Sequence, residues 1–171
     1  RDRLEYVSDS LTAGQPGSGV ALQALNIGFD NSEEDYKLSG SAYVEDLGWQ
    51  DYKRIDSNTT FGTTGQDRAI KAIKLNLEDM PGYSLEYRVY ITGRGWQAWT
   101  SENEIAGNTI NNIEAVQFKM IYDNSKIEKI VLDKTDIVMA VDENNKINAV
   151  VKPSDTTMNN KLTWKSSHTA I

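Results

Sequence analysis

Between residues 83 and 91 apolar side chains occupy every second position. Leu85, Tyr87, Val89 and Ile91 point one way, and Glu86, Arg88 and Tyr90 point the other. A period of two over nine residues marks a half-buried strand. Leu38, Gly40, Ala42 and Val44 carry the same pattern earlier in the chain. A second kind of alternating stretch is Ile73, Leu75 and Leu77, with Lys74, Asn76 and Glu78 facing out. Val116, Phe118, Met120 and Leu25, Ile27, Phe29 match it. Between the two kinds of strand lie a glycine, a short aromatic segment and a turn rich in Gly, Thr and Asn, residues that tolerate positive φ or bond their own backbone. The predicted elements are all short and β-type; helices are not expected.

These strands recur in a fixed order. "YKLSGSAYVEDLGWQDY" (36–52) overlies "YSLEYRVYITGRGWQAW" (83–99) at a constant offset: Tyr36 meets Tyr83, Tyr43 meets Tyr90, Trp49 meets Trp96, and Tyr52 meets Trp99. Downstream, "FGTTGQDRAIKAIKLNL" (61–77) corresponds to "AGNTINNIEAVQFKM" (106–120) and to "AGQPGSGVALQALNIGF" (13–29). Ala24, Ala72 and Ala115 are therefore equivalent, as are Leu25, Ile73 and Val116. The chain opens in the back half of a first copy, with Tyr6 in the place of Trp99 and Arg3 in the place of Trp96. Three copies result, covering about 1–35, 36–82 and 83–123. One such repeat cannot bury its apolar face alone. Three around a pseudo-threefold axis can. The expectation for 1–123 is an all-β, pseudo-threefold repeat domain, β-prism-like, with a β-trefoil as the alternative.

Charge narrows the partners. The formal net charge is −7, and it is uneven: residues 1–123 hold 11 Lys/Arg against 19 Asp/Glu, while 124–171 hold 7 against 6. An acidic first part repels a phosphate backbone and an anionic membrane surface, so nucleic acid is not an expected partner. No apolar run approaches the length of a membrane span, and no membrane insertion is expected of this segment. There is no cysteine, which excludes disulfides and thiolate zinc sites.

"SDSLTAG" (8–14) looks like the first block of a serine esterase, with Ser10 as nucleophile. The repeat gives it another origin, because "YVSDSLTAG" is the first copy of "WTSENEIAG" (99–107), where Asn103 takes the place of Ser10. The one histidine, His168, has Lys165 three residues before it rather than the aspartate a catalytic base needs. The acidic stretch 30–35 lacks EF-hand spacing and reads as a solvated loop. "GTTGQ" (62–66) lacks the lysine of a phosphate loop and reads as a turn; "DENN" (142–145) reads as a hairpin turn. No catalytic residue, metal site or cofactor is expected.

At "GWQDY", "GTTGQ" and "AIKAIKL" in the middle copy, and at "GWQAW" and "IEAVQF" in the last, the repeats resemble the clostridial hydrophobic repeat with conserved tryptophan, the ChW family. Tyr52 replaces the second tryptophan of that pattern and Lys71 its glutamate. The resemblance implies an extracellular, non-catalytic module of Gram-positive surface or secreted proteins that contacts sugars or proteins. Residues 124–171 form a second expected unit. "KIVLDKT", "INAVVKPSD" and "LTWKSSHTAI", with Trp164 of buried type, resemble the first half of a bacterial Ig-like domain of group 2, which implies an incomplete β-sandwich joined through a polar linker at 122–126.

The candidate binding residues are the aromatic corners and their glutamines: Trp49, Gln50 and Tyr52, and Trp96, Gln97 and Trp99. A ring on a surface offers an apolar face to a sugar's C–H face, and a nearby amide can bond its hydroxyls. The same tryptophans can instead serve as core wedges. The leading expectation is a module that binds carbohydrate or a cell-wall or host surface polymer. The alternatives are a segment that docks surface proteins, and an accessory region of a larger secreted enzyme.

Overall fold

The computed structural model describes residues 12–29, 36–140, 142–158 and 160–166. Arg3, Tyr6, Ser10, the acidic stretch 30–35 and His168 lie outside the described residues. The chain forms two units, Arg1–Ile121 and Tyr122–Ile171. Among the described residues there are thirteen strands and no helix. The first copy contributes β1 (Thr12–Gly14) and β2 (Ala24–Leu25). The second contributes β3 (Lys37–Val44), β4 (Gly48–Tyr52), β5 (Phe61–Gly62) and β6 (Ile70–Glu78). The third contributes β7 (Tyr83–Ile91), β8 (Gly95–Trp96), β9 (Thr100–Ser101), β10 (Ala106–Gly107) and β11 (Ile113–Tyr122). In the second unit are β12 (Lys129–Leu132) and β13 (Ala149–Lys152).

Among its described residues the first unit holds three antiparallel sheets that share one kind of seam. One has the order β10-β6-β3-β4; a second has β1-β11-β7-β8, with β9 also on β7; the third is β2-β5. In each sheet a two- or three-residue strand from one copy pairs with the last strand of another. Phe61 and Gly62 of the second copy face Leu25 and Ala24 of the first. Ala106 and Gly107 of the third face Ile73 and Ala72 of the second. Ala13 and Gly14 of the first face Val116 and Ala115 of the third. The three exchanges share one register, and the series closes on itself. Residue 62, read from sequence as the start of a turn, is in fact a rung of a seam between copies.

The seam explains its glycines. Gly14, Gly62 and Gly107 have φ of 104°, 107° and 100°, a region that L side chains avoid. A Cβ on Gly62 would overlap the carbonyl oxygen of Gln23 and lie 2.9 Å from Ile70 Cδ1. On Gly14 and Gly107 it would overlap the carbonyl oxygens of Glu114 and Lys71, the equivalent positions. Those same oxygens accept the next N–H along: Gln15 to Glu114 at 3.1 Å, Thr63 to Gln23 at 2.8 Å, and Asn108 to Lys71 at 3.0 Å. The backbones approach too closely for any side chain between them.

Alternation along the long strands sends one face inward. Leu38, Val44, Ile73, Leu75, Leu85, Val89, Ile91 and Val116 join Leu22, Ile27, Phe61, Ile70 and Ile113 in one buried cluster to which all three copies contribute. Burying each such side chain is worth about 1.5–3 kcal/mol, which a single copy could not collect.

The second unit is organised differently. Lys129, Ile130, Val131 and Leu132 pair with Lys152, Val151, Val150 and Ala149. Tyr122, expected in the linker, has its hydroxyl on the Asp155 carboxylate. The amide of Asn124 donates to Asp155 O at 3.1 Å. Among the described residues of this unit, Val151 and Pro153 are the buried apolar side chains, and Trp164, expected to be buried, is 59% exposed. A two-stranded ladder with apolar side chains on both faces has no interior to offer a tryptophan.

Candidate ligand-binding faces

On the outer face of the middle sheet one row of residues runs across four strands. Gly107 lies opposite Ala72, Ala72 opposite Tyr43, and Tyr43 opposite Trp49. Buried Ala42 and Val44 flank Tyr43 and fix it on the outside. Trp49 meets Tyr43 edge to face, with ring centres 5.6 Å apart at 81°, and is 39% exposed. The third copy repeats the corner: Tyr90 faces Trp96, and the rings are 5.5 Å apart at 85°.

The glutamine of each corner is engaged internally. Gln50 Nε2 donates to the carbonyls of Leu47 at 3.0 Å and Trp49 at 3.1 Å. Gln97 Oε1 accepts the N–H of the seam glycine Gly107 at 2.7 Å. In the middle copy the equivalent N–H, of Gly62, donates to the Tyr52 hydroxyl at 3.0 Å instead. Tyr52 also lays its ring against Phe61, 4.8 Å between centres. It therefore faces the core side of its sheet.

Trp99, its counterpart, does not. In the middle copy Tyr43↔Trp49 and Gly40↔Tyr52 share one register. In the third copy Tyr90 faces Trp96, but Tyr87 faces Thr100. Three residues, 97–99, oppose two, 88 and 89: a β-bulge, which reverses the facing of the residues beyond it. The cause is a change of size. The middle copy has Gly40 on its first strand, where a Cβ would lie 2.8 Å from Leu75 Cδ2, and takes its ring from Tyr52 across the hairpin. The third copy has Tyr87 on the first strand. Tyr87 is fully buried, accepts the Leu75 N–H at 3.0 Å and donates to Glu104 O. With that ring in place, Trp99 turns to the outer face.

There it joins Trp96. The guanidinium carbon of Arg88 lies 4.9 Å from the Trp96 ring centre and 4.7 Å from that of Trp99. Lys119 Nζ lies 4.8 Å from the Trp99 ring and 2.8 Å from Glu86. Arg88 Nε donates to Gln117 Oε1 at 2.7 Å, and Gln117 Nε2 donates to Thr12 Oγ1 at 2.7 Å.

Residues 43–79 match the family Clostridial hydrophobic W, ChW. The ChW match opens on Tyr43 and takes in Trp49, Tyr52, the seam glycine Gly62 and all of β6, so it spans the aromatic corner and the seam together. No curated protein and no solved structure matches the chain.

Of the six sequence candidates, the structure brings Trp96 and Trp99 together, places Trp49 alone beside Tyr43, and turns Tyr52 inward. Sequence reasoning missed Arg88, Gln117 and Lys119. Their signal lies in the repeat itself, because they replace Ser41, Lys74 and Asn76 of the ChW-matching copy. In that copy the same area is a shallow cavity of about 250 Å³ lined by Ser39, Ser41, Asp51, Lys74 and Asn76 among others, with Ser41 donating to Asp51 at 2.7 Å. The middle face is a polar trough, and the third is an aromatic platform with cations across it.

Proposed function

We propose that the first unit is a non-catalytic module of an extracellular or cell-surface protein from a Gram-positive bacterium. It binds carbohydrate or a surface polymer on the outer faces of its sheets. The second unit acts as an Ig-like spacer. What carries the reading is the bulge at 97–99. A half-buried tryptophan turned outward beside a second one, on a face otherwise polar, adds little to the core and leaves a pyranose whatever indole surface Arg88 and Lys119 do not cover. Two faces of modest affinity on one unit gain by avidity when the ligand is a polymer.

The test is a glycan array followed by Trp99→Ala. Binding is expected to fall by roughly 10-fold or more, as for a central aromatic anchor, with the thermal midpoint nearly unchanged. Unchanged binding would remove this face from the site. A second reading, a protein-docking scaffold, draws on Gln50 and Gln97, whose amides serve the fold. It predicts a silent array with Trp99 still required for capture of a protein partner.

A further inference from the structure

We infer that the platform of the third copy takes an anionic saccharide, one bearing carboxylates on its sugar units, with Arg88 as the group that receives the carboxylate. The inference rests on the carbohydrate reading and adds the charge of the ligand.

The observation behind it is an unbalanced cation. In this acidic unit Lys37, Arg54, Arg68, Lys71 and Lys119 each lie within 4.0 Å of a carboxylate. Lys53, Lys74, Arg88 and Arg94 have no such partner among the described residues, and Arg88 alone of these four lies against indole rings. Arg88 is half-buried, yet among the described residues it has no carboxylate partner. Its neighbours are the neutral Gln117 oxygen and two indole rings. A guanidinium carries a fixed charge, and ring faces compensate a partly desolvated cation less fully than a carboxylate does. Glu86, two residues along the same strand, is engaged by Lys119. The face thus carries one uncompensated positive charge on a chain of net charge −7.

Its geometry suits a planar anion better than a general attraction would. Gln117, itself held by Thr12, fixes the Nε edge, and the two rings limit rotation. The terminal nitrogens make no hydrogen bond among the described residues. That leaves a preorganised fork of the kind that reads carboxylates bidentately. A sugar packed beside the Trp96–Arg88–Trp99 cluster, rather than between its members, would bring a carboxylate on its C5 substituent to the terminal nitrogens.

The probes are trigalacturonate, the neutral galactotriose and sodium acetate, titrated by calorimetry against the full chain at low salt. Trigalacturonate is expected to bind on the order of 10-fold more tightly than galactotriose, the contribution of one charge-assisted pair. In Arg88→Gln the two should bind alike, with the weaker shared affinity retained. Arg88→Lys keeps the charge and loses the fork, so it should recover only part of the preference. Near-ultraviolet circular dichroism checks that each variant keeps its packing. Equal binding of both sugars by the wild type, an unchanged ratio in Arg88→Gln, or acetate binding as well as the trisaccharide would overturn the inference while the carbohydrate reading stands. Binding of neither sugar, with Trp99→Ala silent on the array, would remove that reading and this inference with it.

Discussion

Gly62→Ala should cost the first unit about 4 kcal/mol or more, enough to unfold it under mild conditions. Two independent penalties meet at this residue. Its φ of 107° is closed to alanine. The new methyl would also overlap the Gln23 carbonyl and press on Ala24 Cα, 3.1 Å away. The partner backbone cannot yield without breaking the Thr63 to Gln23 hydrogen bond. Gly48→Ala is the matched control. Its φ is 73°, but nothing lies within 4 Å of its Cβ, so about 1 kcal/mol is expected. Urea midpoints of the two variants decide the matter. Similar midpoints would mean that the seam is not a close backbone contact.

Tyr87 carries the second large effect. Tyr87→Ala removes a fully buried ring from the centre of the cluster and should cost about 3–5 kcal/mol. Tyr87→Phe keeps the ring but strands the Leu75 N–H and the Glu104 carbonyl, at about 1–3 kcal/mol. The two variants separate packing from hydrogen bonding. The hydroxyl adds a dependence on pH. Burial raises its pKa, the Leu75 bond works against that, and the Glu102 and Glu104 charges add to it. An unfolded tyrosine ionises near pH ~10, whereas the folded one resists. The contribution is therefore complete below about pH 10 and is lost as pH climbs through the higher folded value. Wild type should lose stability faster than Tyr87→Phe between about pH 9 and about pH 11; parallel curves would contradict the assignment.

The repeat and the β character were legible because they rest on side-chain alternation and on aromatic positions at one offset. The core face came from the same pattern: Leu85, Val89 and Ile91 lie inside as their spacing requires. Three features were not legible. The seam strands are two or three residues long, too short for alternation to show, and Gly62 or Gly107 in such a segment looks like turn chemistry. The bulge leaves no gap in the alignment of 83–99 with 36–52, so Trp99 inherits from Tyr52 an orientation it does not have. Its only trace is the exchange of Gly40 for Tyr87 on the neighbouring strand. Trp164 was misjudged because burial is a property of what packs above a strand, and β12 with β13 supplies nothing above it.

The pairing of β1 with β11 has a mechanical consequence. The two strands are antiparallel, and Thr12 sits against Gln117, so the N-terminal end of β1 and the C-terminal part of β11 lie at the same end of the ladder. Tension applied to both strands at that end peels the described rungs apart one after another instead of loading them together. The ring then acts as a bracelet with its clasp at this seam, where a pull on the two strands is met by one rung at a time.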